Sequence, residues 1–173
     1  MTNQDLGTPY LPAHIANYFL WQADQEKIPL TTMKLVKLVY FGYAWCYAAY
    51  GKKLFSEKIE AWRHGPVVPS IYHEFKRFGS DPISRFSVQF DSEINKILFP
   101  VISESDEMTI PVLDAVWKVY KNKSGLELSE ITHEENSPWK YAYEQGENTV
   151  LDDQKIIIRA KEAILKYQEE IVN

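Results

Sequence analysis

Between Thr31 and Gly51 the sequence leaves little choice of structure. Leu35, Leu38, Val39, Gly42, Trp45, Cys46 and Ala49 recur at spacings of three and four and define one helix face. Val36, Tyr40, Phe41, Tyr43 and Tyr47 make the other faces apolar as well. A helix that is apolar nearly all round either sits at the centre of a fold or meets a partner. Thr31 is a good N-cap, because its hydroxyl can accept an orphan backbone N–H. Gly51 ends the helix, since glycine takes the left-handed turn without steric cost. The uncharged stretch from Leu38 to Tyr50 is too short and too rich in tyrosine to span a bilayer, which needs about 20 apolar residues.

The rest of the chain supplies helices to surround this one. Pro12 can open a first helix carrying Ile15, Tyr18, Phe19 and Gln22, which fades before Ile28-Pro29. Pro69 and Ser70 open another, with Ile71, Tyr72, Phe75 and Phe78 on one face and Gly79 at its end. Pro111 reopens helix, with Leu113, Val116, Trp117 and Tyr120 as its stripe and Gly125 closing it. Leu128 and Ile131 mark a short helix. Ser137-Pro138 starts the next, with Ser137 as N-cap. Asp152 can cap a final helix whose stripe is Ile157, Ala160, Ile164, Tyr167 and Ile171. A small strand is expected near Ile59–Arg63, and a second where Phe86, Val88 and Phe90 alternate with polar residues. Pro100 demotes the run after it to an edge or a loop. The expected fold is mainly α, with a small β-ribbon or sheet. The whole length of 173 residues is read as one domain: a lead-in over 1–10, a core over about 12–150 and a terminal helix over 152–172.

Composition narrows the chemistry. The 19 Lys plus Arg against 24 Asp plus Glu give a net charge of -5. General nucleic-acid binders draw affinity from a basic excess, which this chain lacks. The acidic balance suits a basic protein partner. Cys46 is the sole cysteine, so there is no intrachain disulfide and no cysteine-based zinc site. On its apolar helix face it reads as a buried, inert thiol. The opening residues lack the charged start and apolar run of a signal peptide, and a reducing, cytoplasmic location is expected.

No metal site and no cofactor is expected. His133-Glu134-Glu135 begins like a metalloprotease His-Glu-x-x-His helix, but Ser137 stands where the second ligand belongs. Gly65 is isolated, so no phosphate-cradling loop is present. Two rival functions remain open at this point. One is a small hydrolase or transferase using His64 or His73, which needs both in one pocket with a carboxylate. The other is a DNA-binding regulator acting through residues 126–140. Glu127, Glu130, Glu134 and Glu135 in that segment would repel phosphates.

The most unusual segment is Glu60-Ala61-Trp62-Arg63-His64-Gly65-Pro66-Val67-Val68-Pro69-Ser70-Ile71-Tyr72. Two prolines and a glycine make it a stiff turn rather than a helix. Rigid turns that present aromatics and arginine are good interface material. A turn that merely closes a small sheet, with Trp62 and Tyr72 in the core, explains the same residues equally well.

Here the sequence resembles a known family. Lys34-Leu35-Val36-Lys37-Leu38-Val39-Tyr40-Phe41, Trp45, Tyr50-Gly51-Lys52 and Leu54-Phe55 lead into Ile59–Pro69, then Tyr72, Phe75 and Gly79. Leu128-Ser129, Thr132-His133 and Ser137-Pro138-Trp139 form a second block. In order and spacing these resemble the Panacea antitoxin domain, also described as SocA-like or phage-associated, from about Ile15 to Val150. The resemblance implies a non-enzymatic antitoxin of a two-gene toxin–antitoxin system. Such a protein neutralises a cognate toxin, often a translation inhibitor, by direct protein–protein binding. No cofactor, membrane or independent nucleic-acid partner is implied, and self-association stays open. On the motif positions we expect Lys37, Glu60, Trp62, Arg63 and His64 to contact the partner. Gly65 and Pro66 would shape the turn, and Tyr40, Trp45, Val67, Tyr72, His133, Pro138 and Trp139 would support the motif.

Overall fold

The computed structural model describes residues 10–172, so the expected lead-in lies outside the described residues except for Tyr10. Helix α1 (Pro12–Glu26) opens with proline in its first turn. Helix α2 (Thr32–Tyr50) is bounded as its caps require: the Thr31 side chain accepts the Lys34 N–H, and Gly51 turns left-handed at φ +67°. From Thr32 to Cys46 every residue of α2 except Met33 is buried. It is the axis on which α1 and the helices Pro69–Phe75, Thr109–Tyr120, Gly125–Thr132 and Asp153–Val172 pack. At Gly42 a Cβ would lie 2.8 Å from the Leu113 side chain, so glycine is what lets its neighbours approach so closely.

Strands β1 (Glu60–Trp62) and β2 (Gly65–Val67) form a tight antiparallel hairpin, Glu60 opposite Val67 and Trp62 opposite Gly65. Helix α3 (Pro69–Phe75) runs into a 3-10 turn, Lys76–Phe78. A second hairpin, β3 (Gln89–Asp91) with β4 (Lys96–Leu98), follows. Helices α4 (Thr109–Tyr120), α5 (Gly125–Thr132) and α6 (Pro138–Tyr143) precede β5 (Thr149–Val150). That strand pairs with the free side of β1, giving the order β2-β1-β5. Helix α7 (Asp153–Val172) ends the described chain.

Several expectations needed correction. Gly125 does not close α4; it is the first residue of α5, behind an N-cap at Ser124 completed by Glu127. Helix α4 starts at Thr109, ahead of Pro111, which sits in its first turn. The seam of α7 is set by Ile156 and Ala160, not Ile157, and Ile171 is exposed. Ala49 is exposed because α2 outruns its neighbours there. The strand expected around Phe86–Phe90 is displaced to Gln89–Asp91, leaving Phe86 and Val88 outside it, and Pro100 lies just past its partner strand. Otherwise the architecture is the expected one: seven α-helices and two small sheets among the described residues.

Candidate functional site

The two motif blocks meet around the β1–β2 hairpin, and they divide it into an inner and an outer half. The inner half centres on Lys37. Its side chain is buried, only 2% exposed, and its ammonium donates to the Pro66 carbonyl at 3.0 Å. Among the described residues no carboxylate partners it, and burial pulls its pKa down to about 7. Gly65 closes over it at φ +107°. A Cβ there would fall 2.5 Å from the Thr132 hydroxyl and 2.9 Å from Lys37 Nζ. Lys37 therefore holds the turn from inside, which corrects its expected role as a contact residue: no partner can reach it.

The second block clamps the same hairpin from α5 and α6. The Ser129 hydroxyl donates to the His64 carbonyl at 2.8 Å, and the Trp139 indole N–H donates to the Trp62 carbonyl at 2.7 Å. The His133 ring stacks on Trp139 at 3.8 Å and 16°, and Trp139 stacks on Tyr143 at 4.8 Å. Burial, with Lys37 and His64 nearby, lowers the His133 pKa. Its Nε2 is buried with no hydrogen-bond partner, which also suits a neutral ring. Ser137 caps α6 through the Lys140 N–H, and Pro138 is buried behind it. Tyr40, Trp45 and Val67 are core residues.

The outer half holds the remaining expected residues. Arg63 and His64 are exposed at the tip; Glu60 and Trp62 are half-buried. The Trp62 indole N–H donates to the Glu60 carboxylate at 2.8 Å. Its ring meets Tyr72 edge-on at 5.0 Å and His73 at 5.9 Å. The result is an aromatic patch with an arginine beside it, fixed on a rigid frame.

The structure does not assemble the rival sites. The two larger clefts, of about 790 and 470 Å³, include neither His64 nor His73. Cys46 is buried, and burial pushes its thiol up to about 12. In 126–140, Glu127, Glu130, Glu134 and Glu135 are all exposed; Glu134 and Glu135 pair with Arg159 and Lys140, and no excess of cations is left to meet phosphates on this helix pair. Among the described residues no group of His, Cys, Asp or Glu is arranged to hold a metal ion, and no helix is long and apolar enough to cross a membrane.

Sequence reasoning missed one surface. Phe90 and Ile97 face each other across β3–β4 and are 65% and 62% exposed. Phe99 and Val101, just beyond, are equally open. The available signal was the recurrence of apolar residues from Phe86 to Val101, with no helix nearby in sequence to cover them.

These features define a mainly helical domain whose small sheet is locked from within and offers side chains outward. Residues 35–140 match the family described as Antitoxin SocA-like, Panacea domain, and the chain belongs to it. Antitoxin SocA of Caulobacter vibrioides (strain NA1000 / CB15N) is 28% identical over 127 residues, covering 72% of this chain. The match spans 66% of that relative, just under two thirds of its length. No solved structure matches.

Proposed function

We propose that this protein is the antitoxin of a toxin–antitoxin pair, acting in the cytoplasm and without catalysis. It binds a cognate toxin, an inhibitor of translation, and blocks it by direct contact. The observation that carries this reading is the family match, which spans the locked turn and α5 and reaches into the first turn of α6. The outer patch of Glu60, Trp62, Arg63 and His64, with Tyr72 and His73 beside it, supplies one contact surface. Its aromatics and arginine are the side-chain types that dominate binding energy, and the frame beneath them loses little entropy on association. The net charge of -5 favours a basic toxin, whose association would be steered and would slow with added salt.

The test is co-expression. The small reading frame adjacent to this gene is induced in a bacterial host with and without this protein. Relief of growth arrest, with co-purification of the pair, supports the reading; arrest that this protein does not relieve overturns it. In the same assay the double substitution Arg63→Ala/His64→Ala is expected to weaken rescue without altering the fold, since both side chains are exposed.

A further inference from the structure

The larger cleft lies on another part of the molecule, between α1, α4 and the segments flanking β3–β4. Its floor and walls are apolar: Trp21, Phe86, Phe99 and Val101 are 50%, 37%, 59% and 68% exposed. Among the described residues its charged lining residues are Glu104 and Asp114. The Asp114 carboxylate is held in place by the Tyr18 hydroxyl and the Gln22 amide, at 2.5 and 2.7 Å. Among the described residues no lysine, arginine or histidine lines the groove. Beside it, β3 and β4 pair only with each other, and their Phe90–Ile97 pair extends the apolar surface.

We propose that this groove is a docking site for a basic amphipathic segment of the toxin, separate from the outer patch of the β1–β2 turn. The proposal rests on the antitoxin reading for the identity of the partner, and on the groove itself for its chemistry. Exposed apolar surface of this extent on a soluble domain marks an interaction site. The sign of its rim decides between occupants. A second copy in a two-fold dimer would bring Glu104 and Asp114 against the same carboxylates, and an anionic bilayer would be repelled likewise. A segment with leucine-like residues on one face and lysine or arginine on the other satisfies both floor and rim. Binding then covers the apolar walls, while the cations reach the carboxylates at the edge.

The experiment has two arms. In the first, the full chain is titrated with a Leu–Lys amphipathic helical peptide of about four turns, and with its Leu–Glu counterpart. The emission of Trp21 reports occupancy, and Trp21→Phe removes the signal. The Leu–Lys peptide is expected to bind roughly tenfold or more tightly than the Leu–Glu peptide, and less tightly as salt rises. Phe99→Asp/Val101→Asp weakens that binding roughly tenfold or more, and Glu104→Lys narrows the preference between peptides. These side chains are exposed, and circular dichroism confirms that the variants remain folded. Equal binding of both peptides, or binding that survives the double substitution, overturns the proposal.

In the second arm the same variants enter the growth-rescue assay. Loss of rescue by Phe99→Asp/Val101→Asp supports the groove as a toxin contact. Full rescue by that variant overturns the groove and leaves the antitoxin reading standing. Selective peptide binding by a wild-type protein that rescues nothing does the reverse. A concentration-dependent dimer abolished by the double substitution assigns the groove to a second copy and overturns the proposal.

Discussion

The two β-hairpins of this molecule are of similar size and opposite in character. A two-stranded hairpin is marginal in water unless something covers its apolar face. For β1–β2 that cover is α2, α5 and α6, reinforced by three side-chain hydrogen bonds to its backbone carbonyls, from Lys37, Ser129 and Trp139. For β3–β4 the cover is missing, and Phe90 and Ile97 stand open. The residues that lock the first hairpin, Lys37, Ser129 and Trp139, all fall inside the stretch that matches the family. The difference teaches that a sequence motif can mark the frame that holds a surface steady, while exposed apolar area lies elsewhere.

The comparison can be broken most severely at Gly65. Gly65→Ala would force a side chain into Thr132 and Lys37 at φ +107°, and is expected to cost about 3 kcal/mol or more in denaturant unfolding. A cost under about 1 kcal/mol would mean that the hairpin is not locked as described.

Next in size is a pH effect. Burial puts the folded-state pKa of Lys37 near 7, below its unfolded value, so the unfolded chain binds more protons between the two. Stability should therefore rise from pH 7 to pH 9, by at most about 1.4 kcal/mol per unit from this group. Lys34, also lowered by burial, acts in the same direction. The lowered His14 and His133 contribute their rise below pH 7; Cys46, whose thiol burial raises to about 12, opposes Lys37 as pH approaches 9, by less than about 1 kcal/mol, and the raised tyrosines oppose it from about pH 10 upward. Urea unfolding at pH 7 and 9 checks this, and Lys37→Met should flatten most of the slope. An unchanged slope in that variant would remove Lys37 as the source.

Trp139→Phe keeps the stack on His133 but deletes the bond to the Trp62 carbonyl, at an expected cost of about 1–2 kcal/mol in urea unfolding. Smallest of all, Phe90→Ser/Ile97→Thr on the open hairpin should change unfolding free energy by no more than about 0.5 kcal/mol per site. A loss comparable to Gly65→Ala would show the second hairpin to be part of the core after all.

What could be read from the sequence depended on the range of the interactions involved. Helix α2 was legible from end to end, because Thr31 and Gly51 act on their own neighbours. The N-caps at Ser137 and Asp152 were legible for the same reason. Gly125 was misread because glycine serves at either end of a helix, and only the Ser124–Glu127 box decides which. The inner half of the site was not legible. Lys37 looks like a surface cation on its own helix and becomes a buried strut only when Pro66, 29 positions away, supplies a carbonyl. The outward side of the turn was better placed, since an arginine and a histidine at a tip seldom bury. The groove stayed hidden because its walls come from α1, α4 and the hairpin flanks, which no local pattern joins.

The buried amine of Lys37 also makes the molecule its own stopwatch. At mildly alkaline pH much of it is uncharged and intrinsically nucleophilic, yet Gly65 and Thr132 shield it from any reagent in solution. An acylating pulse would mark the exposed lysines at once and reach this one only when the hairpin lifts. The rate at which position 37 becomes modified would thus count the openings of the β1–β2 turn, in the free protein and again in any complex it forms.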